Sequence, residues 1–261
     1  MSEFNFNIIK YEIDNYIKTN FDLNIYSINS KYIHTFNTAD YAIKIAARLN
    51  LNEENIYLAY VNGLFHDIYR FNQWMDYKTF SDHNSIDHGD YGAKLLFEDG
   101  LIKNFSIDKK HYEIIKFAVI NHNKFSIEKI ENNKDNYYKL LHAEIIRDAM
   151  LFRGEIKLSP ERQSITGITD KILKDVLNNN SVNIKNVKTA LDTALSHLAF
   201  VFGFHTDAAL EIFSESNFIT AVSGNYKKYL NKEEYKTLED ITKYVQLYIT
   251  NRLNKAKQII V

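Results

Sequence analysis

The alternation of apolar and polar positions along the chain has the period of amphipathic helices. Residues 31–49 show it most clearly, because apolar side chains recur there every three or four positions. A second run, 52–66, begins at Asn52, a residue type that favours helix N-termini, and continues through apolar positions to His66. The pattern therefore predicts two consecutive helices in the first quarter of the chain.

The same periodicity predicts helices over most of the remaining chain. We expect them at residues 4–19, about 87–99, 108–122, 137–151, 184–203, 205–214, 217–229 and 232–254. Asp87 and Asp108 can cap helix N-termini, and Gly100 suits a helix C-terminus. Residues 70–86 and 124–136 lack a clear period, and we expect loops there.

The composition supports an all-α fold and excludes one kind of metal site. Only one proline and eight glycines occur among 261 residues, whereas proteins with many sheet turns need more of both. There is no cysteine, so disulfides and thiolate ligands are excluded. Any metal must therefore bind nitrogen and oxygen atoms.

Charge and the length of apolar runs bear on partners and location. The formal net charge is −1, so the chain lacks the basic excess typical of nucleic-acid binding. The N-terminal residues lack the features of a signal peptide, and apolar runs are shorter than the roughly 20 residues of a membrane span. We expect a cytoplasmic protein without nucleic-acid or membrane partners, and the sequence leaves monomer and homo-oligomer open.

Six side chains of metal-binding type are each embedded in a helical pattern. The set is His34, His66, Asp67, His88, His122 and Asp148. No local motif such as His-Glu-x-x-His is present, so tertiary packing of a helix bundle must assemble any site. Six imidazole and carboxylate groups are enough for two metal ions that share one carboxylate.

Distinct stretches surround these side chains in a particular order. They are His34-Thr35-Phe36, Leu64-Phe65-His66-Asp67-Ile68-Tyr69-Arg70, His88-Gly89, Val119-Ile120-Asn121-His122 and Arg147-Asp148-Ala149. Together they resemble the HD superfamily of metal-dependent phosphohydrolases, in its branch with extra histidines and two metals. The resemblance covers roughly residues 30–155.

This resemblance implies a fold and a ligand set. The fold is an all-α HD-domain helical bundle, a single domain over 1–261 with a core at about 30–155 and a helical C-terminal extension at about 160–261. By resemblance, the first metal binds His34, His66, Asp67 and Asp148. Asp67 also bridges to a second metal that His88 and His122 hold. Nitrogen and oxygen ligands fit one or two ions of Mn, Fe, Co, Ni or Zn better than Mg alone, although Mg stays open.

The sequence lacks two motifs that are found in particular branches of the HD superfamily. Some two-metal members carry paired histidines at the fourth motif, whereas His122 here stands between Asn121 and Asn123, so we expect no third metal. The Gly-Tyr-Pro motif of the cyclic di-GMP branch is absent, because the single proline, Pro160, follows Ser159.

The resemblance also implies an activity, the hydrolysis of a phosphoester in a nucleotide or another small phosphorylated compound by metal-activated water. The substrate-binding candidates are Arg70, Gln73, Trp74 and Arg147. The catalytic candidates are Asp67, Arg70 and His83. Lys31 is a further phosphate ligand, and Asp82 is an alternative to His83 for proton transfer. Arg70 and Arg147 have a second interpretation, as members of internal ion pairs.

Two other functions stay open. The chain could be a non-catalytic, metal-stabilised HD module that binds a nucleotide for regulation, in which case it binds nucleotides without turnover. It could also be a di-iron oxygenase on the HD fold, in which case a stable di-iron centre consumes dioxygen.

Overall fold

The computed structural model describes residues 4–131, 133–152, 160–162 and 165–259. These residues form helices and connecting turns without a strand among them, which confirms the all-α prediction. The chain divides into two compact units, Met1–Met150 and Leu151–Val261. The single-domain organisation stays a prediction. No described helix is both long enough and apolar enough to cross a membrane.

The α-helices of the first unit surround one hydrophobic core. They are α1 (Phe6–Asn20), α2 (Tyr26–Arg48), α3 (Glu53–Phe65), α4 (Arg70–Tyr77), α5 (His88–Ala93), α6 (Tyr112–Asn121) and α7 (Lys134–Leu151), the last of which ends one residue into the second unit. The described α-helices of the second unit are α8 (Asp170–Leu177), α9 (Ala190–Leu198), α10 (Asp207–Ser214), α11 (Phe218–Tyr226) and α12 (Lys232–Ile259).

Helix α3 runs through the middle of the first unit, packed against α1, α2 and α6. Its sequence from Tyr57 to Phe65 is buried on all sides, as expected for a helix without a polar face. Gly63 allows the close approach of α2, because a Cβ atom there would collide with the backbone of Ala39. This contact brings the histidines of α2 and of the α3 C-terminus together.

The second unit is built around α9, which packs against α8, α11 and α12. Every residue of α9 is buried. The helix begins with a capping box, in which the Thr189 hydroxyl accepts from the backbone N–H of Asp192 and the Asp192 carboxylate accepts from the backbone N–H of Thr189. Side chains at the start of this fully buried helix therefore satisfy the N–H groups of Thr189 and Asp192.

Several segments differ from the sequence-based expectation. Residues 70–77, expected as a loop, form α4, because Phe71 and Gln73 bury one face of a short helix. The helix expected at 184–203 is divided into a 3₁₀ turn, α9 and a second 3₁₀ turn. The helix expected at 87–99 continues beyond Ala93 as a π-helix. Helix α8 was not predicted.

Candidate metal centre

Five of the six predicted ligands lie where helices begin, end or cross. His34 is on α2, His66 directly follows α3, and Asp67 comes next. His88 is the first residue of α5, and His122 directly follows α6. Helices that contact one another thus deliver all five side chains, and four of the five are almost completely buried, with His34 partly exposed.

The helix ends determine the tautomers of two histidines. His66 Nδ1 lies 2.8 Å from the carbonyl oxygen of Gly63, and His122 Nδ1 lies 2.6 Å from that of Val119. Each carbonyl belongs to the last turn of a helix, where such groups lack helical partners. Because a carbonyl can only accept, Nδ1 carries the proton in both rings, and the Nε2 atom of the neutral imidazole has a free lone pair.

The Asp67 carboxylate lies between two pairs of histidines. Its Oδ2 atom is 3.6 Å from His34 Nε2 and 3.5 Å from His66 Nε2. Its Oδ1 atom is 3.2 Å from His88 Nε2 and 3.5 Å from His122 Nε2. The result is two groups of potential ligands that share one carboxylate, with all ligand atoms of a group within 4.8 Å of one another.

Two observations show that these residues fit metal ions. The Nε2 atoms of His88 and His122 are 2.8 Å apart, and those of His34 and His66 are 3.2 Å apart. Lone pairs so close repel each other unless a proton or a cation lies between them, and ligands at about 2.1 Å from one ion lie roughly 3 Å apart. In addition, Asp67 Oδ1 is buried without a hydrogen bond, an expensive state that a cation relieves.

The charge state of the site suits cation binding. Burial opposes ionisation of Asp67, but the charge of Lys31 holds the pKa of its carboxyl well below the usual value. Burial lowers the pKa of His122 to about 4, so that its imidazole is neutral near pH 7. Burial would likewise lower the pKa of His88, but contacts with Asp67 and Asp82 raise it. The centre therefore contains an ionised carboxylate and at least one neutral imidazole ligand.

The comparison with family models identifies the fold family. The model of the HD domain matches residues 32–166, which is just over half of the 261 residues. The chain belongs to the HD-domain family. HD domains bind divalent metals, and membership suggests the superfamily of metal-dependent phosphohydrolases. Comparisons with curated proteins and with solved structures found no match.

The sixth predicted ligand of the HD domain, Asp148, lies on α7 and is fully buried. It belongs to neither group of ligands found among the described residues. Its role as a ligand of the first metal stays a prediction.

The segment after the His66-Asp67 pair contains both proton-transfer candidates. His83 is exposed, in a 3₁₀ turn that spans Asp82–Asn84. Asp82 instead contacts the centre, since its Oδ2 atom lies 2.6 Å from His88 Nδ1. Asn123, which the sequence reasoning missed, donates from its amide to Asp82 at 3.1 Å. Only its position next to His122 could have drawn attention to it.

The basic and aromatic candidates differ in what they already contact. Arg70 donates through Nη1 to Gln73, Asp82 and the Phe80 carbonyl, and its Nε atom lies 3.5 Å from Asp67 Oδ1. Arg147 donates to the backbone carbonyls of 121, 124 and 125. Gln73 is fully buried, and Trp74 packs on the ring of Phe80 at 5.1 Å. These contacts hold the segments around the centre in place.

Lys31 approaches the centre itself. Its Nζ atom lies 2.8 Å from Asp67 Oδ2, and its side chain is 20% exposed to solvent. The sequence offers one clue to Lys31, its distance of one helical turn from His34, and so points to it less strongly than to Arg70. A partly exposed ammonium group at the ligand set is well placed to meet an anionic group that enters from solvent.

Proposed function

We propose that this HD domain hydrolyses a phosphoester of a nucleotide or of another small phosphorylated compound. The observation that carries the proposal is the buried carboxylate of Asp67, which lies between two pairs of imidazole nitrogens. Such a shared carboxylate is what a pair of adjacent divalent ions requires, and paired ions are common in enzymes that cleave phosphoesters.

The chain's own residues have distinct roles in this proposal. His34, His66 and Oδ2 of Asp67 would hold one ion, while His88, His122 and Oδ1 of Asp67 would hold the other. Divalent ions there would supply Lewis acidity, which makes water a usable nucleophile near neutral pH and draws charge from a phosphoryl group.

The substrate phosphate would meet Lys31 first. Its ammonium group is a compact point charge on a long, partly exposed side chain. The contacts of Arg70 and Arg147 with protein acceptors support a role in holding the segments around the centre. Their direct participation in substrate binding remains part of the proposal as a second arrangement.

The test is turnover of an aryl phosphate and of a panel of nucleotides, with Mn²⁺ or Co²⁺ added to chelator-treated protein. We expect phosphate release, and we expect Asp67→Ala to lower kcat/KM by about three orders of magnitude or more, because the variant lacks the shared ligand. Asp99→Ala removes an exposed carboxylate of the same unit and should leave turnover unchanged.

Three results would contradict the proposal. Asp67→Ala with wild-type turnover would show that the centre is not the source of activity. Nucleotide binding without any turnover would favour the regulatory module. Dioxygen consumption by the iron-loaded protein, without phosphate release, would favour the oxygenase.

A further inference from the structure

A cluster of polar side chains lies at the Nδ1 side of His88, and one of its members, Arg70, also has its Nε atom 3.5 Å from Asp67 Oδ1. We call it the Asp82 cluster, and its members are Arg70, Gln73, Asp82 and Asn123. The Asp82 carboxylate is its centre: Oδ1 accepts from Arg70 at 2.9 Å and from Gln73 at 3.1 Å, while Oδ2 lies 2.6 Å from His88 Nδ1 and accepts from Asn123 at 3.1 Å. Both oxygens are therefore engaged, and His88 is one of their partners.

This contact distinguishes His88 from the other buried histidines of the centre. His66 and His122 each donate to a carbonyl of the helix that precedes them, so their ring orientation comes with the helix. His88 donates to a side chain on a separate 3₁₀ turn, six residues earlier in the chain. Its orientation as a ligand therefore depends on a residue that can be replaced without touching a helix.

The carboxylate also determines which nitrogen of His88 can bind a metal. Because an ionised carboxylate only accepts, Nδ1 must carry a proton, and Nε2 is left to face Asp67 Oδ1 and His122 Nε2. A carboxylate in this position also makes the imidazole a stronger electron donor, which strengthens its bond to a metal.

The rest of the cluster prevents Asp82 from moving. Gln73 is fully buried, donates to Ser85 Oγ at 2.8 Å as well as to Asp82, and accepts from Arg70 at 2.6 Å. Asn123 links Asp82 to Asp87, the N-cap of α5, through an amide that lies 3.0 Å from the Asp87 carboxylate. Asp82 is thus tied to α4, to the start of α5 and to the residue after His122.

We propose that Asp82 is a positioning residue that makes His88 a ligand of the second ion, so that binding of this ion depends on Asp82 and binding of the first does not. The proposal rests on the two-ion centre of the proposed function, but not on turnover. It assigns α4 and the 3₁₀ turn, which lie outside the six-ligand set, to the second half of the centre.

The experiment is a titration of chelator-treated Asp82→Asn with Zn²⁺, with bound metal per chain measured after dialysis. Asparagine has the same shape, but it presents either an N–H group to His88 Nδ1 or N–H groups to Arg70 and Gln73, and both orientations oppose donor to donor. We expect the second ion to bind about 10- to 100-fold more weakly and the first to keep its affinity. His88→Ala provides the one-ion reference.

Asp90→Asn is the matched control, because it makes the same change on α5, at an exposed carboxylate that pairs with Lys124 rather than with His88. This control should bind two ions like the wild type. Circular dichroism checks folding, and Asp82→Ser, which also removes the carboxylate, is measured if Asp82→Asn does not fold. In the double variant Asp82→Asn/His88→Ala, the Asp82 substitution should have no additional effect.

Two results would overturn the inference: two ions of unchanged affinity in Asp82→Asn, or only one ion in the wild type. Failure of the proposed function looks different, since the wild type would then bind two ions and release no phosphate. An equal loss of both ions in Asp82→Asn would also count against the inference, because it would indicate a general structural role.

Discussion

Two buried aspartates, one in each unit, show how different surroundings give one residue type two roles. Asp67 is 1% exposed and Asp192 is fully buried. Asp192 accepts from the N–H and the hydroxyl of Thr169, at 2.8 and 2.6 Å, and from the N–H groups of Lys188 and Thr189, at 3.0 and 3.2 Å. Asp67 accepts one hydrogen bond, from Lys31, and its Oδ1 atom accepts none.

The difference lies in what faces each carboxylate. A buried charge is expensive unless hydrogen bonds or opposite charges compensate it. Backbone N–H groups at the start of α9 do this for Asp192, in a position that the helix dipole also favours. Around Asp67 Oδ1 the neighbours are the Nε2 atoms of His88 and His122 and, at 3.5 Å, the Nε atom of Arg70, and none of them donates a hydrogen bond to it. A buried carboxylate whose oxygens are all bonded to donors holds a fold together, whereas one that keeps an oxygen without a hydrogen bond is arranged for a cation.

Among the substitutions that distinguish the two aspartates, we expect Asp192→Ala to change stability most. The substitution removes four hydrogen bonds, one of which, from the Thr189 N–H, is the carboxylate half of the capping box of a fully buried helix. We expect a loss of about 3 kcal/mol in the free energy of unfolding, measured with urea by circular dichroism. The folded variant should still bind two metal ions, because no ligand is changed.

Asp170→Ala is the control, since Asp170 is an exposed acidic residue in the first turn of α8. Its loss should cost a few tenths of a kcal/mol. A loss of metal from Asp192→Ala that is still folded would break the comparison, because the second aspartate would then affect the centre as well.

A smaller effect is expected from Gly89→Ala, which perturbs the centre without removing a ligand. The new Cβ atom would lie 2.5 Å from Asn123 Oδ1 and 3.0 Å from the carbonyl oxygen of Val119, which accepts from His122. We expect the free energy of unfolding to fall by about 1–3 kcal/mol, measured by urea unfolding, and the second ion to bind more weakly, measured by zinc titration.

The matched control for this substitution is Gly224→Ala on α11, where no atom lies within 4 Å of the new Cβ. It should stabilise the protein by about 0.5–1 kcal/mol, because alanine favours a helix more than glycine does. The same change thus has opposite signs at the two positions. Equal effects would show that the space around Gly89 is not limiting.

The sequence predicts the fold class and the approximate helices well, because long amphipathic periods such as 31–49 are independent of tertiary contacts. Prediction from the sequence fails where tertiary packing determines the local structure. Residues 70–77 are polar and aromatic without a clear period, yet form α4, because burial of Phe71 and Gln73 compensates for a weak local preference. The capping box at Thr189 uses Asp192 instead of the usual glutamate or glutamine. The start of α9 inside the helix expected at 184–203 was therefore not predicted.

For the metal centre, the sequence predicts which residues take part better than it predicts which side chains contact one another. Asp67 and the four histidines come together as expected. The proximity of Lys31 and the link from Asp82 to His88 depend on contacts between residues 36 and 6 positions apart, for which no spacing rule exists. Among the residues expected to bind substrate, Gln73 is instead completely buried and hydrogen-bonded within the protein.

The last expected effect concerns His142, which tests whether an unsatisfied buried atom alone indicates a ligand site. Its Nε2 atom bonds to Asn55 Oδ1 at 3.0 Å, and its Nδ1 atom is buried without a partner, like Asp67 Oδ1. No group of potential metal ligands among the described residues includes it. We therefore expect His142 to act on stability alone.

The effect of His142 should appear as a dependence of stability on pH. Burial lowers the pKa of its imidazole to about 3, below the value of about 6.5 in the unfolded chain. Between these values the unfolded state binds more protons, so the stabilisation is complete above about pH 6.5 and is lost as the pH falls towards 3. We expect the free energy of unfolding of metal-free protein to fall by about 1 kcal/mol per pH unit, measured by urea unfolding between pH 7 and 5.

His142→Gln, which keeps a donor for Asn55, should have a shallower dependence of stability on pH, whereas exposed His205→Gln should follow the wild type. An unchanged slope in His142→Gln would mean that the unpartnered nitrogen is accessible to protons at little cost, and an unsatisfied atom would then be weaker evidence for the cation site at Asp67 as well.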